Sequence, residues 1–231
     1  MTSKQTARPV HHPIFARVYA RVSRSMEERG SADHRQRLLA GLRGRVIEVG
    51  AGNGLNFPHY PATVAEVVAV EPEPYLRDLA LGAARQARVP VRVVDGHADR
   101  LPAGDAAFDA GVASLVLCSV PDQSRALAEL LRVIGPGGEL RFYEHVRADT
   151  PGLARVQRLI DPIWPLFVGG CHASRDTLAA ITAAGFQIDH YERFRFPDPG
   201  PTTPTTPHVL GTAHRVGASR PVSEGGPPDR A

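Results

Sequence analysis

Three glycines in five residues, Gly50, Gly52 and Gly54, follow directly on the β-branched run Val46, Ile47 and Val49. Such a run suits a strand buried on both faces of a parallel sheet. A glycine turn after it lets a ligand approach the backbone, because no Cβ stands in the way. A helix following the turn offers unpaired N–H groups to that ligand. The dinucleotide spacing Gly-x-Gly-x-x-Gly is not met, since the position of its third glycine holds Leu55. A second apolar run, Val64 to Val70, ends at Glu71. An acid at the tip of that strand can accept both ribose hydroxyls of a nucleoside.

The segment Glu48-Val-Gly-Ala-Gly-Asn-Gly, with Glu71-Pro72 after it, resembles motif I and the following acidic residue of class I S-adenosylmethionine (SAM) methyltransferases. An NAD-binding fold is the competing reading of the loop. The resemblance implies SAM as cofactor, S-adenosylhomocysteine as product and no metal. It implies cofactor contacts at Glu48, Gly50, Ala51, Gly52, Asn53, Glu71 and Pro72. Downstream, Asp95-Gly-His-Ala-Asp99-Arg-Leu-Pro102 is similar to the turn that holds adenine in that family. Gly96, Ala98 and Asp99 fit it. His97 stands where Asp is usual, so the adenine amino contact falls to His97 or to Asp99. Ser114 and Leu115, where a fourth strand exits, complete the expected cofactor set.

The remaining pattern alternates strands with helices, which gives a doubly wound α/β sheet with ligands at the carboxyl ends of its strands. The expectation is a Rossmann-like, seven-stranded class I methyltransferase sheet. It is mostly parallel with the last strand antiparallel, and has helices on both faces. From Pro13, Ile14, Phe15, Val18, Tyr19, Val22 and Met26 share one helical face opposite Arg17, Arg21 and Arg24. This reads either as a helix on the domain edge or as a lid with Tyr19 facing the cofactor. A second helix is expected from Ala32 to Leu42. Residues 1–12 read as a disordered arm, 13–216 as the methyltransferase domain and 217–231 as a disordered tail.

A narrower resemblance rests on Leu115-Val-Leu-Cys-Ser-Val120, Arg132-Val-Ile-Gly-Pro-Gly-Gly138, Tyr143-Glu-His-Val146, Asp161-Pro-Ile-Trp164, Gly170-Cys171 and Pro207-His208-Val209, in this order. Together they resemble the methyltransferase-like group that includes animal alkyl-thiol S-methyltransferases. This implies S-methylation of a small, fairly apolar thiol by in-line displacement. The alternatives are O-, N- or C-methylation of another small metabolite, a quinone or a lipid amine, or a non-catalytic SAM- or nucleotide-binding module. His145, at the carboxyl end of the fifth strand, is the candidate general base, with a structural hydrogen bond as the competing role. Asp161 either orients a base or caps a turn. Trp164 and Phe167 are candidate walls of a substrate pocket, and His172 a candidate lining residue.

Composition narrows the partners. Residues 1–45 hold ten basic against three acidic residues, and the rest of the chain seventeen against twenty-one. The basic excess thus belongs to the N-terminal segment, which leaves peripheral contact with an anionic membrane open. Basic and aromatic residues are not interleaved, which argues against nucleic acid as a partner. No apolar run approaches the ~18 residues of a membrane span, and the expected setting is the cytoplasm, as a monomer or homodimer. Arg- and Ala-rich usage suggests a bacterial source. The two cysteines, Cys118 and Cys171, show neither Cys-x-x-Cys nor zinc-site spacing and read as inert.

Overall fold

The computed structural model describes residues 13–216; the expected arm and tail lie outside the described residues. One sheet contains β1 (Gly44–Val49), β2 (Val64–Val70), β3 (Val91–Val94), β4 (Phe108–Ser114), β5 (Ile134–His145), β6 (Phe186–Arg195) and β7 (Pro207–Arg215). Its order is β3-β2-β1-β4-β5-β7-β6. Strands β1 to β5 run parallel. Strand β7 is antiparallel to both neighbours, so it slots between β5 and β6.

The helices are α1 (Pro13–Met26), α2 (Ala32–Leu39), α3 (Pro74–Ala84), α4 (Gln123–Val133), α5 (Pro151–Ile160) and α6 (Thr177–Ala183). Side chains alternate between the two faces of the sheet. Ile47, Val49, Val68, Val70, Leu140 and Phe142 pack with Leu127 and Leu130 of α4 and Ile181 of α6. Val46, Val67, Ala69, Val112 and Tyr143 pack on the opposite side with Leu38 and Leu39 of α2, Ala80 of α3, Phe57 and Tyr60. Helix starts follow capping chemistry. Asp122 accepts from the Arg125 N–H at 3.0 Å and Glu73 from the Leu76 N–H at 2.8 Å, with Pro74 in the first turn of α3.

Helix α1 forms as expected, and only part of its apolar face turns inward, Phe15 and Tyr19 toward the cavity. Ala16, Ala20 and Ser23 are its buried residues, while Ile14, Val18 and Val22 are exposed. Small residues let the helix lie close against Leu76 of α3, which leaves the longer aliphatic chains outside. Helix α2 ends at Leu39, short of the expected Leu42, beside the left-handed Gly41.

Candidate active site

The order β2-β1-β4 places a topological switch point at the carboxyl ends of β1 and β4, where open α/β sheets bind ligands. A cavity lies there. Tyr19, Gly50, Gly52, Glu71, Pro72, His97, Ala98, Asp99 and Leu115, all expected at the cofactor, line it. Gly50 has φ 67°, and a Cβ on it would lie 2.3 Å from Val116 Cγ2. The turn therefore needs glycine for both its backbone and its space.

Glu71 holds this turn as well as facing the cavity. One carboxylate oxygen accepts from the Gly52 N–H at 2.7 Å and the other from the Glu73 N–H at 2.9 Å. Burial pushes its pKa up, against the pull of those two donors. Leu115, on the opposite wall, adopts φ 56°, a backbone that costs a branched residue energy. Its surroundings over-determine that conformation. The Leu115 N–H donates to the Tyr143 carbonyl at 2.6 Å. The Glu144 carboxylate then accepts from the N–H groups of Val116, Leu117 and Cys118 at 3.0, 2.9 and 3.1 Å. Burial lifts the Glu144 pKa to about 7 despite those donors.

Helix α1 roofs the cavity. The Tyr19 ring lies over Gly52 and stacks on Phe15 with centroids 5.8 Å apart. Asn53 donates to Ser23 at 3.2 Å, tying the glycine turn to this roof. Buried Arg35, which no sequence signal singled out, extends the tie. It pairs with Glu27 at 2.7 Å and donates to Asn56 at 2.8 Å and Ser114 at 3.2 Å.

Four expected cofactor residues do not line the cavity. Glu48 alternates onto the Val46 face of β1, where it accepts from Asn56 at 2.8 Å and Tyr60 at 2.7 Å. Burial lifts its pKa to about 7. Asn53 and Ser114 are engaged in the roof ties, and Ala51 is buried with its N–H on the Val70 carbonyl at 3.1 Å.

The expected catalytic and substrate residues also lie behind or beside the cavity wall. His145 ends β5 with Nδ1 at 3.5 Å from Cys118 Sγ and at 3.5 Å from Cys171 Sγ. The Cys118–Cys171 contact, with His145 beside it, draws the Cys171 thiol down, and the same contact together with burial pushes Cys118 up. Both cysteines are free and buried, and the fold sets them beside each other and beside His145. Sequence spacing did not signal this grouping, because the three residues come from separate segments. His172 bonds Asp161 at 2.8 Å. Partial burial opposes it, but the neighbouring His172 and Ser174 draw Asp161 below its ordinary pKa. Phe167 is 78% exposed, so it does not wall the cavity. Trp164 is half-buried nearby. Phe15, Val116, Ser119, Val120 and Gly169 also line the cavity.

This sheet order, glycine turn and strand-tip acid define a class I SAM-dependent methyltransferase. The methyltransferase domain family model matches residues 47–142. The S-adenosylmethionine-dependent methyltransferase of Mesorhizobium loti shares the fold with a TM-score of 0.62 at 19% identity, over 80% of this chain and 99% of that one. Thiol S-methyltransferase TMT1B of Rattus norvegicus is 33% identical over 172 residues, 73% of this chain and 69% of the relative. Phosphatidylethanolamine N-methyltransferase of Cereibacter sphaeroides is 31% identical over 155 residues, 64% of this chain and 70% of the relative. The chain belongs to the SAM-dependent methyltransferases, in the methyltransferase-like group that includes the thiol S-methyltransferases.

Proposed function

We propose that residues 13–216 form a catalytic domain that methylates a small, fairly apolar thiol. In this reading SAM lies along the glycine turn. Glu71 accepts from the ribose, the His97–Asp99 turn holds adenine, and Tyr19 covers the cofactor. The observation that carries the acceptor assignment is the apolar lining of the cavity. Phe15, Val116 and Val120 line the cavity, and the Asp122 carboxylate beside them is engaged in capping α4. The names of the mammalian relatives support the same class of acceptor.

The reaction is in-line displacement. The acceptor sulfur forms a bond to the methyl carbon as the bond from that carbon to the sulfonium breaks. The electron pair of the broken bond stays on S-adenosylhomocysteine. Positioning supplies much of the rate. A free thiol with pKa ~8.5 is a few per cent thiolate near neutrality, and the adjacent sulfonium favours the anion.

A second reading, methylation of a lipid amine, has its own observation. Ile14, Val18 and Val22 on α1, with Leu166 and Phe167, are exposed beside the cavity roof. Arg17, Arg21 and Arg24 share α1 with three of them, and such a basic amphipathic surface suits a membrane interface. No helix among the described residues is long and apolar enough to cross a membrane.

Release of S-adenosylhomocysteine with alkyl and aryl thiols, hydrogen sulfide, a catechol, a quinol and phosphatidylethanolamine vesicles separates the two readings. Alkyl thiols are expected to turn over at least ten times faster than the other classes. Turnover confined to the vesicles, or to the quinol, would overturn the thiol assignment.

A further inference from the structure

Cys118, His145 and Cys171 present three donor atoms within 4.8 Å of one another, behind the cavity wall rather than on it. Cys118 adjoins Ser119, and Cys171 follows the Gly169–Gly170 turn; Ser119 and Gly169 both line the cavity. We propose that these three residues bind a zinc ion whose fourth position takes the acceptor sulfur. The site goes beyond the methyltransferase assignment; its fourth ligand rests on the thiol reading above.

The distances fit a tetrahedral ion. Zinc binds thiolate sulfur at about 2.3 Å and imidazole nitrogen at about 2.0–2.1 Å, so a sulfur and a nitrogen on adjacent tetrahedral positions lie about 3.5 Å apart. Both observed separations from Nδ1 are 3.5 Å. Two thiolates and one imidazole form a donor set that suits zinc, and three protein ligands with an open fourth position are the pattern of reactive rather than structural zinc sites.

The surroundings pre-position each ligand. The three N–H bonds to Glu144 fix the turn that carries Cys118. The His172 N–H donates to the Cys118 carbonyl at 2.7 Å, which sets Cys171 against Cys118. Gly170 makes that approach possible, because a Cβ there would lie 2.8 Å from the Ser119 carbonyl oxygen. His145 pairs with His208 of β7 at the end of β5, two residues past the last β4 pair, Ser114 with Tyr143. Rigid elements holding a donor set in this way are what a metal site requires.

The chemistry balances without an oxidant or reductant. On binding to zinc the acceptor thiol releases its proton to solvent. The bound sulfur keeps a lone pair, which attacks the methyl carbon along the line of the breaking sulfonium bond. The product thioether is a neutral, weaker ligand and leaves.

The test uses the full chain and reads metal directly. Protein purified without chelator is expected to carry one zinc per chain by elemental mass spectrometry. Replacement with cobalt(II) is expected to give intense tetrahedral visible bands and a thiolate-to-metal charge-transfer band. Cys118→Ser and Cys171→Ser, checked for an unchanged circular dichroism spectrum, should each weaken cobalt binding at least a hundredfold. Adding hexanethiol to the cobalt protein should shift the visible bands. Absence of both zinc and cobalt bands, cobalt binding unchanged in both serine variants, or a Cys118–Cys171 disulfide in the purified protein would overturn the site. Cobalt bands that no thiol moves would overturn the acceptor's place on the metal. Metal-free protein that methylates hexanethiol at the loaded rate would sink the zinc step and leave the function standing. A metal-loaded protein that methylates only a quinol or an amine would do the reverse for the site and the thiol reading.

Discussion

Replacing Glu71 with alanine is expected to weaken SAM binding by roughly 1.5–3 kcal/mol, about ten- to a hundredfold in Kd, for the loss of charge-assisted hydrogen bonds. The carboxylate does two things that alanine cannot. It accepts from the Gly52 and Glu73 N–H groups, and so sets the glycine turn against the start of α3. It also lines the cavity at the tip of β2, where a ribose would lie. Glutamine keeps one acceptor oxygen but turns a donor toward the other N–H, so Glu71→Gln should fall between wild type and alanine. Isothermal titration with SAM, on protein whose melting temperature shows it folded, measures this. Unchanged affinity in folded Glu71→Ala protein would remove Glu71 from the cofactor site.

The second large effect is expected at His145. His145→Ala should lower the rate of thiol methylation at least a hundredfold, the scale of a lost proton-handling or metal-binding group. SAM affinity should stay within about twofold, because His145 does not line the cofactor cavity. Its Nδ1 touches two sulfurs, so the effect should appear in the acceptor step. Single-turnover rates with SAM and hexanethiol, alongside elemental analysis of the variant, separate the two possible causes. Loss of rate with zinc retained points to a base. Loss of both points to a ligand. A rate within a factor of two of wild type would exclude His145 from the chemistry.

How far the sequence carries differs from element to element, for physical reasons. The glycine turn was legible because strand, turn and close backbone approach are all local. Glu71 was legible as a strand-tip acid, although its bonds to Gly52 and Glu73 depend on how the turn packs. Glu48 was assigned to the cofactor through the motif, yet strand alternation places it on the Val46 face with Tyr60 and Asn56. That signal was present in the period-two pattern of β1. The apolar face of α1 divides in the fold: Phe15 and Tyr19 line the cavity, while Ile14, Val18 and Val22 stay exposed. Close packing on α3 selected Ala16 and Ala20. Arg35, which links Glu27, Asn56 and Ser114, had no local signature at all. The Cys118, His145 and Cys171 cluster was illegible for the same reason. Its members come from the turn after β4, the end of β5 and the turn before α6, and only the folded sheet brings them together.

At this cavity the SAM methyl group is expected to pass to a thiol sulfur. The most direct measurement is incubation of the full chain with SAM carrying a carbon-13 methyl group and hexanethiol, with the label followed by NMR and the product mass determined. The predicted result is hexyl methyl sulfide with the label on the S-methyl carbon, formed in step with S-adenosylhomocysteine and lost in Glu71→Ala protein at limiting SAM. Saturable SAM binding with no labelled thioether, while a quinol or phosphatidylethanolamine takes the label instead, would contradict it.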